Sequence, residues 1–292
     1  MPGPVTAAPD PPPEPSRAPA PAAPLAAPAL GSLLDALCDV RTIELQLSLP
    51  VRDRRPASDA LGLDALEPEV SEVAFVDTPD LRLLRGGVVV RARRTQDRPA
   101  DLTVTLLWAD PASLPPELRR LPGFRVDVDV RPRGYACSCS LEVPVSDRTM
   151  EAVLSGDLPA YQVLTAHQRR LVSAHAPVDV ATYGLAVLGP THVLTHRLAA
   201  PGLKRGLVAE RWFLPGGSRC LHLSARCRPA KVLRTATRVD AYLTAHGVVP
   251  TPAPETTTRS ALAALAGRPK PPGPPQPANT RRHGTASGRS PA

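Results

Sequence analysis

Apolar and polar residues alternate along this chain in short regular stretches separated by turn signals. In Ile43-Glu44-Leu45-Gln46-Leu47-Ser48-Leu49 every odd position is aliphatic and every even one polar, the period of a half-buried strand. Pro50 ends it. The same reading predicts strands over 73–77, 88–93, 101–107, 125–130, 135–143, 192–198, 207–214 and 221–226, nine in all. A helical period marks a short opening helix within 30–40 and further helices over 115–120, 147–158 and 161–175. The clearest helix runs from Pro229 to about His246, with Val232, Ala236, Val239 and Leu243 in one apolar stripe and Gly247 just past its end. A last helix is expected around 256–265. Strands joined by short turns, with helices between groups, predict an α+β fold, mainly antiparallel β with peripheral helices.

Composition trims the folding unit. Of the 292 residues 38 are proline, crowded into an Ala/Pro-rich stretch over 1–30 and a Pro/Gly/Arg-rich one over 267–292. Such ends bury too little apolar surface to offset the entropy of ordering them. One domain is expected over 31–250, between a disordered tail at 1–30 and a short helix with a disordered basic tail at 251–292. The formal net charge is +8, but six cations and no acid lie from Arg259 onward, and 1–30 contributes −1, which leaves +3 for the body. The basic balance thus belongs mostly to the tail, either as a solvated segment or as a weak grip on nucleic acid or an acidic partner.

Several classes fall away. No stretch approaches the ~18 consecutive apolar residues of a membrane-spanning helix, and the Ala/Pro run at the N-terminus has neither the basic nor the leucine-rich region of a signal peptide. The five cysteines are an odd number without C-x-x-C spacing, so they read as small buried hydrophobes in a reducing cytoplasm. Two Trp, four Tyr and three Phe leave little for a base-stacking platform.

The polar faces of the strands carry the chemistry. They present Glu44, Gln46 and Ser48; Arg91 and Arg93; Asp127 and Asp129; Thr195 and Arg197; Glu210; and His222, Ser224 and Arg226. An open sheet with these residues facing water gives the same alternation. In a closed barrel they would share one lumen. Arginines enclosed there with few carboxylates need compensation, which a polyanion with a divalent cation would supply: guanidinium forks match phosphate oxygens, and carboxylates hold Mg²⁺ or Mn²⁺ against them.

The run Phe75-Val-Asp-Thr-Pro-Asp-Leu-Arg-Leu-Leu-Arg-Gly-Gly-Val-Val-Val-Arg-Ala-Arg93 resembles the CYTH family of triphosphate-tunnel proteins, with its F-x-D-T-P-D-x-x-L turn and R-x-R strand. Glu44-Leu-Gln-Leu-Ser48, Leu188-Gly-Pro190, Val208-Ala-Glu210-Arg-Trp with Pro215-Gly-Gly-Ser218, and Leu221-His-Leu-Ser-Ala-Arg226 are similar to other stretches of that family, so the likeness spans about 41–246. It implies an eight-stranded antiparallel tunnel-like barrel that binds triphosphate compounds, as in inorganic triphosphatases, thiamine triphosphatases and a class of adenylate cyclase. It further implies phosphate binding by Arg91, Arg93, Arg197 and Arg226. A divalent metal, Mg²⁺ or Mn²⁺, would sit at Glu44 and Glu210, with Gln46, Asp127, Asp129 and His222 as secondary candidates.

The chain departs from the family where the chemistry is most demanding. Gln46 replaces the second glutamate of the first strand and Ser48 its lysine; Thr105 stands for another lysine, His222 for a glutamate, and Thr195 for a basic residue. Lost carboxylates weaken a divalent site, and lost cations weaken transition-state charge stabilisation. Two readings stay open: a metal-dependent triphosphatase of weak or altered activity, and an inactive relative that binds polyphosphate, a nucleotide or a protein partner.

Overall fold

The computed structural model describes residues 42–49, 51–131, 134–176, 184–248 and 256–267, without side-chain detail for 48, 51–53, 129–131 and 134–136. The opening helix, both tails and Asp129's side chain lie outside this description. Nine strands form the frame: β1 (Ile43–Ser48), β2 (Glu69–Asp77), β3 (Val88–Thr95), β4 (Ala100–Leu106), β5 (Phe124–Arg131), β6 (Gly134–Val145), β7 (Ala186–Leu198), β8 (Leu207–Phe213) and β9 (Arg219–Cys227). They close into a barrel in the order β1-β5-β6-β4-β3-β2-β7-β8-β9. Each strand predicted from alternation is present. The expected count of eight, and the wholly antiparallel pairing, are corrected: there are nine strands, and β1 runs parallel to β5. The two corrections are one, because an odd number of strands around a ring cannot alternate direction at every neighbour.

Eight α-helices accompany the described barrel: α1 (Val51–Ala60), α2 (Arg82–Arg85), α3 (Pro116–Arg119), α4 (Asp147–Ser155), α5 (Ala160–Val163), α6 (Ala166–His175), α7 (Val232–Ala245) and α8 (Thr257–Ala266). The helix expected over 161–175 is two, α5 and α6, separated at Leu164 and Thr165. Thr165 is the N-cap of α6 in a capping box with Gln168, a start signal that the apolar period alone does not show. Helix α1 has no counterpart in the sequence reading. Of its described side chains only Ala57 is buried, too few to give a period.

The alternation sorts each strand's side chains between two environments. Outward, Ile43, Val90, Leu102, Val126 and Cys139 pack under α4 and α6 through Met150, Val153, Leu171 and Val172. Gln168, with no exposed surface, ties α6 to the barrel by donating to the carbonyls of Leu102 at 2.8 Å and Leu141 at 3.1 Å. On the far side, Leu47, Leu207, Leu221 and Leu223 pack with Ala57 of α1 and Leu243 of α7. Cys137, Cys139 and Cys220 are buried and unpaired, and burial pushes the Cys137 thiol up to about 11. The inward side chains form the site.

Candidate functional site: a charge-lined barrel interior

Asp77-Thr78-Pro79-Asp80 builds the turn that feeds β3. The buried Asp77 carboxylate accepts hydrogen bonds from the backbone N–H groups of Thr78 (2.7 Å), Leu83 (2.8 Å) and Leu84 (3.0 Å), closing the first turn of α2. Asp80 pairs at the surface with Arg82 and Arg85. The motif therefore aims the chain so that β3 enters with Arg91 and Arg93 inward; its own acids touch no inward group.

Register then decides what those arginines meet. Arg93 lies opposite Asp101 on β4, and Arg91 opposite Thr103. Glu44 of β1 lies opposite both Arg226 of β9 and Asp127 of β5. The result is a chain of alternating charge around the wall. Arg93 donates to Asp101 at 2.7 Å and faces Glu142 at 3.4 Å. Arg125 reaches Glu142 at 3.0 Å, Asp127 at 3.0 Å and Glu44 at 3.5 Å. Arg226 reaches Glu44 at 3.1 Å. Ser224 and Ser140 add hydroxyl donors to Glu44 and Asp127. Burial alone would raise the Glu44 pKa, but Arg226, Arg125 and Ser224 together hold it down at about 2. Burial likewise opposes the charge on Arg125, yet its three carboxylates leave its pKa raised.

Four inward guanidinium groups thus stand among four carboxylates. The compensation that the sequence reading assigns to a polyanion and a cation is supplied largely by the chain's own Asp101, Glu142, Asp127 and Glu44. Asp101, Arg125 and Glu142 are missing from the sequence-derived site. Their signal was present, since each falls on the polar phase of its strand.

Arg91 is the exception. Its nearest carboxylate oxygen, on Asp101, is 3.9 Å away, its Nη2 donates to Thr103 at 3.4 Å, and its Nε is buried without a partner. Burial, with Arg93 and Arg125 nearby, lowers its pKa from the usual guanidinium value. It borders an interior cavity of about 80 Å³ whose wall also includes Gln46, Thr105, Arg125, Ser138 and Thr256. A buried guanidinium N–H left without an acceptor beside such a space is costly until an anion arrives.

The remaining expected residues divide. Glu210 accepts the Trp212 indole N–H at 3.2 Å and lies in register with Thr195 and His222; its charge is felt at Arg93. Arg197 is not part of the buried cluster: it sits at the rim, more than half exposed, 4.0 Å from Glu69. Gln46 lines the cavity, and Asp129 lies beside it in register. As a resident metal centre the set does not fit. Glu44 and Asp127 are held by arginines, Glu210 by Trp212, and among the described residues no three His, Cys, Asp or Glu side chains converge to hold an ion.

One end of the barrel is filled. Val73, Phe75, Val89, Val193, Trp212 and Cys220 pack there with Ala261, Leu262 and Leu265 of α8, and Phe75 stacks on Trp212 with ring centroids 6.2 Å apart. The interior therefore runs from an apolar, helix-covered end through the charged middle toward Arg226.

Comparison with known proteins is consistent with this architecture. No protein-family model matches the chain, and no curated protein matches it. Among solved structures, a putative adenylyl cyclase from Hippeastrum, described as having a dominant triphosphatase activity, aligns over 77% of this chain and 96% of its own at 15% identity and a TM-score of 0.52. A putative adenylate cyclase from Bacillus halodurans aligns over 75% of this chain and 96% of its own, at 11% identity and a TM-score of 0.48. The Hippeastrum likeness shows the fold: the chain has the CYTH-type tunnel architecture that its sequence resembles.

Proposed function

We propose that the barrel interior binds the phosphates of triphosphate-containing compounds, with Arg91 as the primary contact and Arg93, Arg125 and Arg226 as the surrounding cations. The observation that carries this reading is the partly buried Arg91 guanidinium, which borders a cavity and whose Nε is fully buried and unpartnered. Arginine forks bind phosphate oxygens bidentately, and phosphate outcompetes a hydroxyl acceptor such as Thr103. The fold, shared with a structure described as a triphosphatase, gives the same direction.

Binding is proposed through the guanidinium groups directly. Mg²⁺ characteristically comes with the substrate's phosphates and one or two carboxylates, and the residues here do not assemble a centre of their own. Calorimetry with tripolyphosphate, thiamine triphosphate and ATP tests the reading. Tripolyphosphate should bind without added metal, and Arg91→Ala should weaken it by roughly tenfold or more. Absence of binding by all three compounds, with Mg²⁺, Mn²⁺ or neither, would remove it. Orthophosphate release that depends on Mg²⁺ or Mn²⁺ would establish the catalytic version.

A further inference from the structure

Outside the lumen lies a groove of about 830 Å³ whose charged lining is entirely basic. Three separate elements build it. The loop between β7 and β8 contributes Lys204 and Arg205, the end of β9 contributes Arg226 and Arg228, and one side of α7 with the turn before it contributes Lys231, Arg234 and Arg238. No Asp or Glu lines it among the described residues. Arg226 faces Glu44, and Arg238 donates to the Gly202 carbonyl, pinning the loop against the helix. The other five are exposed and make no ion pair with a described carboxylate. Like charges gathered from distant parts of a chain repel one another and cost stability unless a counter-charge arrives.

The position and the chemistry narrow the ligand. Arg226 belongs to both places, lining the groove while its Nε reaches into the lumen to Glu44. Groove and lumen arginines therefore form one row of cations that turns from the exterior into the barrel. Among the described residues no aromatic side chain lines the groove, so none of them stacks on a base there. A nucleic-acid chain carries one charge per phosphate with a neutral sugar and base between successive charges, whereas a phosphoanhydride chain carries one on every phosphoryl unit with only a bridging oxygen between them. Seven cations around one groove match the denser ligand.

We propose that this groove is an exterior extension of the phosphate site, holding the distal phosphoryl groups of linear polyphosphates longer than a triphosphate. The proposal rests on the lumen reading given above and adds a chain-length preference to it. The test compares tripolyphosphate with medium-chain inorganic polyphosphate by calorimetry on the full chain. Inositol hexakisphosphate and single-stranded oligothymidylate serve as rival polyanions. The long chain should bind roughly tenfold or more tightly per molecule than tripolyphosphate, with a steeper loss of affinity in salt. Lys231→Glu with Arg234→Glu should abolish that difference while leaving tripolyphosphate binding unchanged and the melting temperature no lower. Equal affinity for short and long chains, or a difference that survives the double variant, would overturn the groove and leave the lumen reading standing. Stronger binding of either rival polyanion than of the long chain would also overturn it. Failure of the lumen reading shows separately, as tripolyphosphate binding that is absent or indifferent to Arg91→Ala.

Discussion

Arg91 Nη2 stands 3.9 Å from Asp101 Oδ1, while Arg93 Nε takes the other oxygen of the same carboxylate at 2.7 Å. One acid serves two arginines, and the antiparallel register of β3 with β4 gives it to Arg93. Two positions apart on one strand, the two guanidinium groups share a face and differ in everything that register controls. The residue left without a full partner is the one facing the cavity.

Asp101→Asn should separate holding the fold together from receiving phosphate. Removing one partner of a buried pair leaves an uncompensated charge, so unfolding free energy should fall by about 3 kcal/mol. The same change frees Arg91 and Arg93 for an anion, and tripolyphosphate affinity should rise roughly tenfold. Denaturant titration and calorimetry on one preparation read both effects. A fall in affinity would mean that Asp101 positions the arginines and does not compete for them.

Acid should loosen the barrel through Glu44. Its folded pKa, about 2, lies below the ordinary value of 4.5, so the carboxylate's contribution is complete above the ordinary value and is lost as pH falls from about 4.5 toward 2. The depression corresponds to a contribution on the order of 3 kcal/mol. Glu44→Gln should be less stable at pH 7, and its stability should fall less between those limits than that of the unaltered chain. Denaturant midpoints measured across the range check this.

Gly123 fixes where Arg125 and Glu142 meet. A Cβ placed there would lie 1.8 Å from the Glu142 carbonyl oxygen, and the Glu142 N–H donates to the Gly123 carbonyl at 3.0 Å. Two backbones touch at this point, just before β5 begins. Gly123→Ala must push β5 from β6, which should cost about 1–3 kcal/mol of stability and weaken tripolyphosphate binding. Melting curves and calorimetry give the two readouts.

Much of this was legible in the sequence, for definite reasons. Strands with one apolar and one charged face print their period directly, so β1 and β5, with Glu44 and Asp127 on their polar phase, appear in the residues alone. Closure and partner choice do not. That Arg125 also reaches Glu142 on β6 and Glu44 on β1, beyond Asp127 on its own strand, follows from the closing of the sheet, and nothing local to Arg125 records it. The same holds for the parallel contact of β1 with β5, which sets Glu44 beside Asp127 across some eighty residues of chain. Arg197 looked like its fellow arginines because it shares their phase; its place at the rim depends on where β7 ends. The basic groove was invisible for a related reason, since its cations come from three segments that each read as an ordinary solvated surface.

Helix α8 closes the apolar end, and both tryptophans of the chain report on it. Trp212 packs in the same cluster as Ala261, Leu262 and Leu265, and Arg259 lies over the Trp108 ring at 5.1 Å. Leu262 is almost wholly buried, so Leu262→Ala should cost about 2–5 kcal/mol if the helix is integral to the fold. A helix that merely rests on the end would detach instead: global stability would hold while tryptophan fluorescence shifted to the red and became accessible to iodide. Chain cut before residue 256 supplies the reference spectrum for the uncovered end. Because the cavity beside Arg91 includes Thr256 in its wall, the same truncation should speed tripolyphosphate dissociation, measured by stopped-flow competition. An unchanged off-rate would place the ligand's only route at the Arg226 end of the barrel.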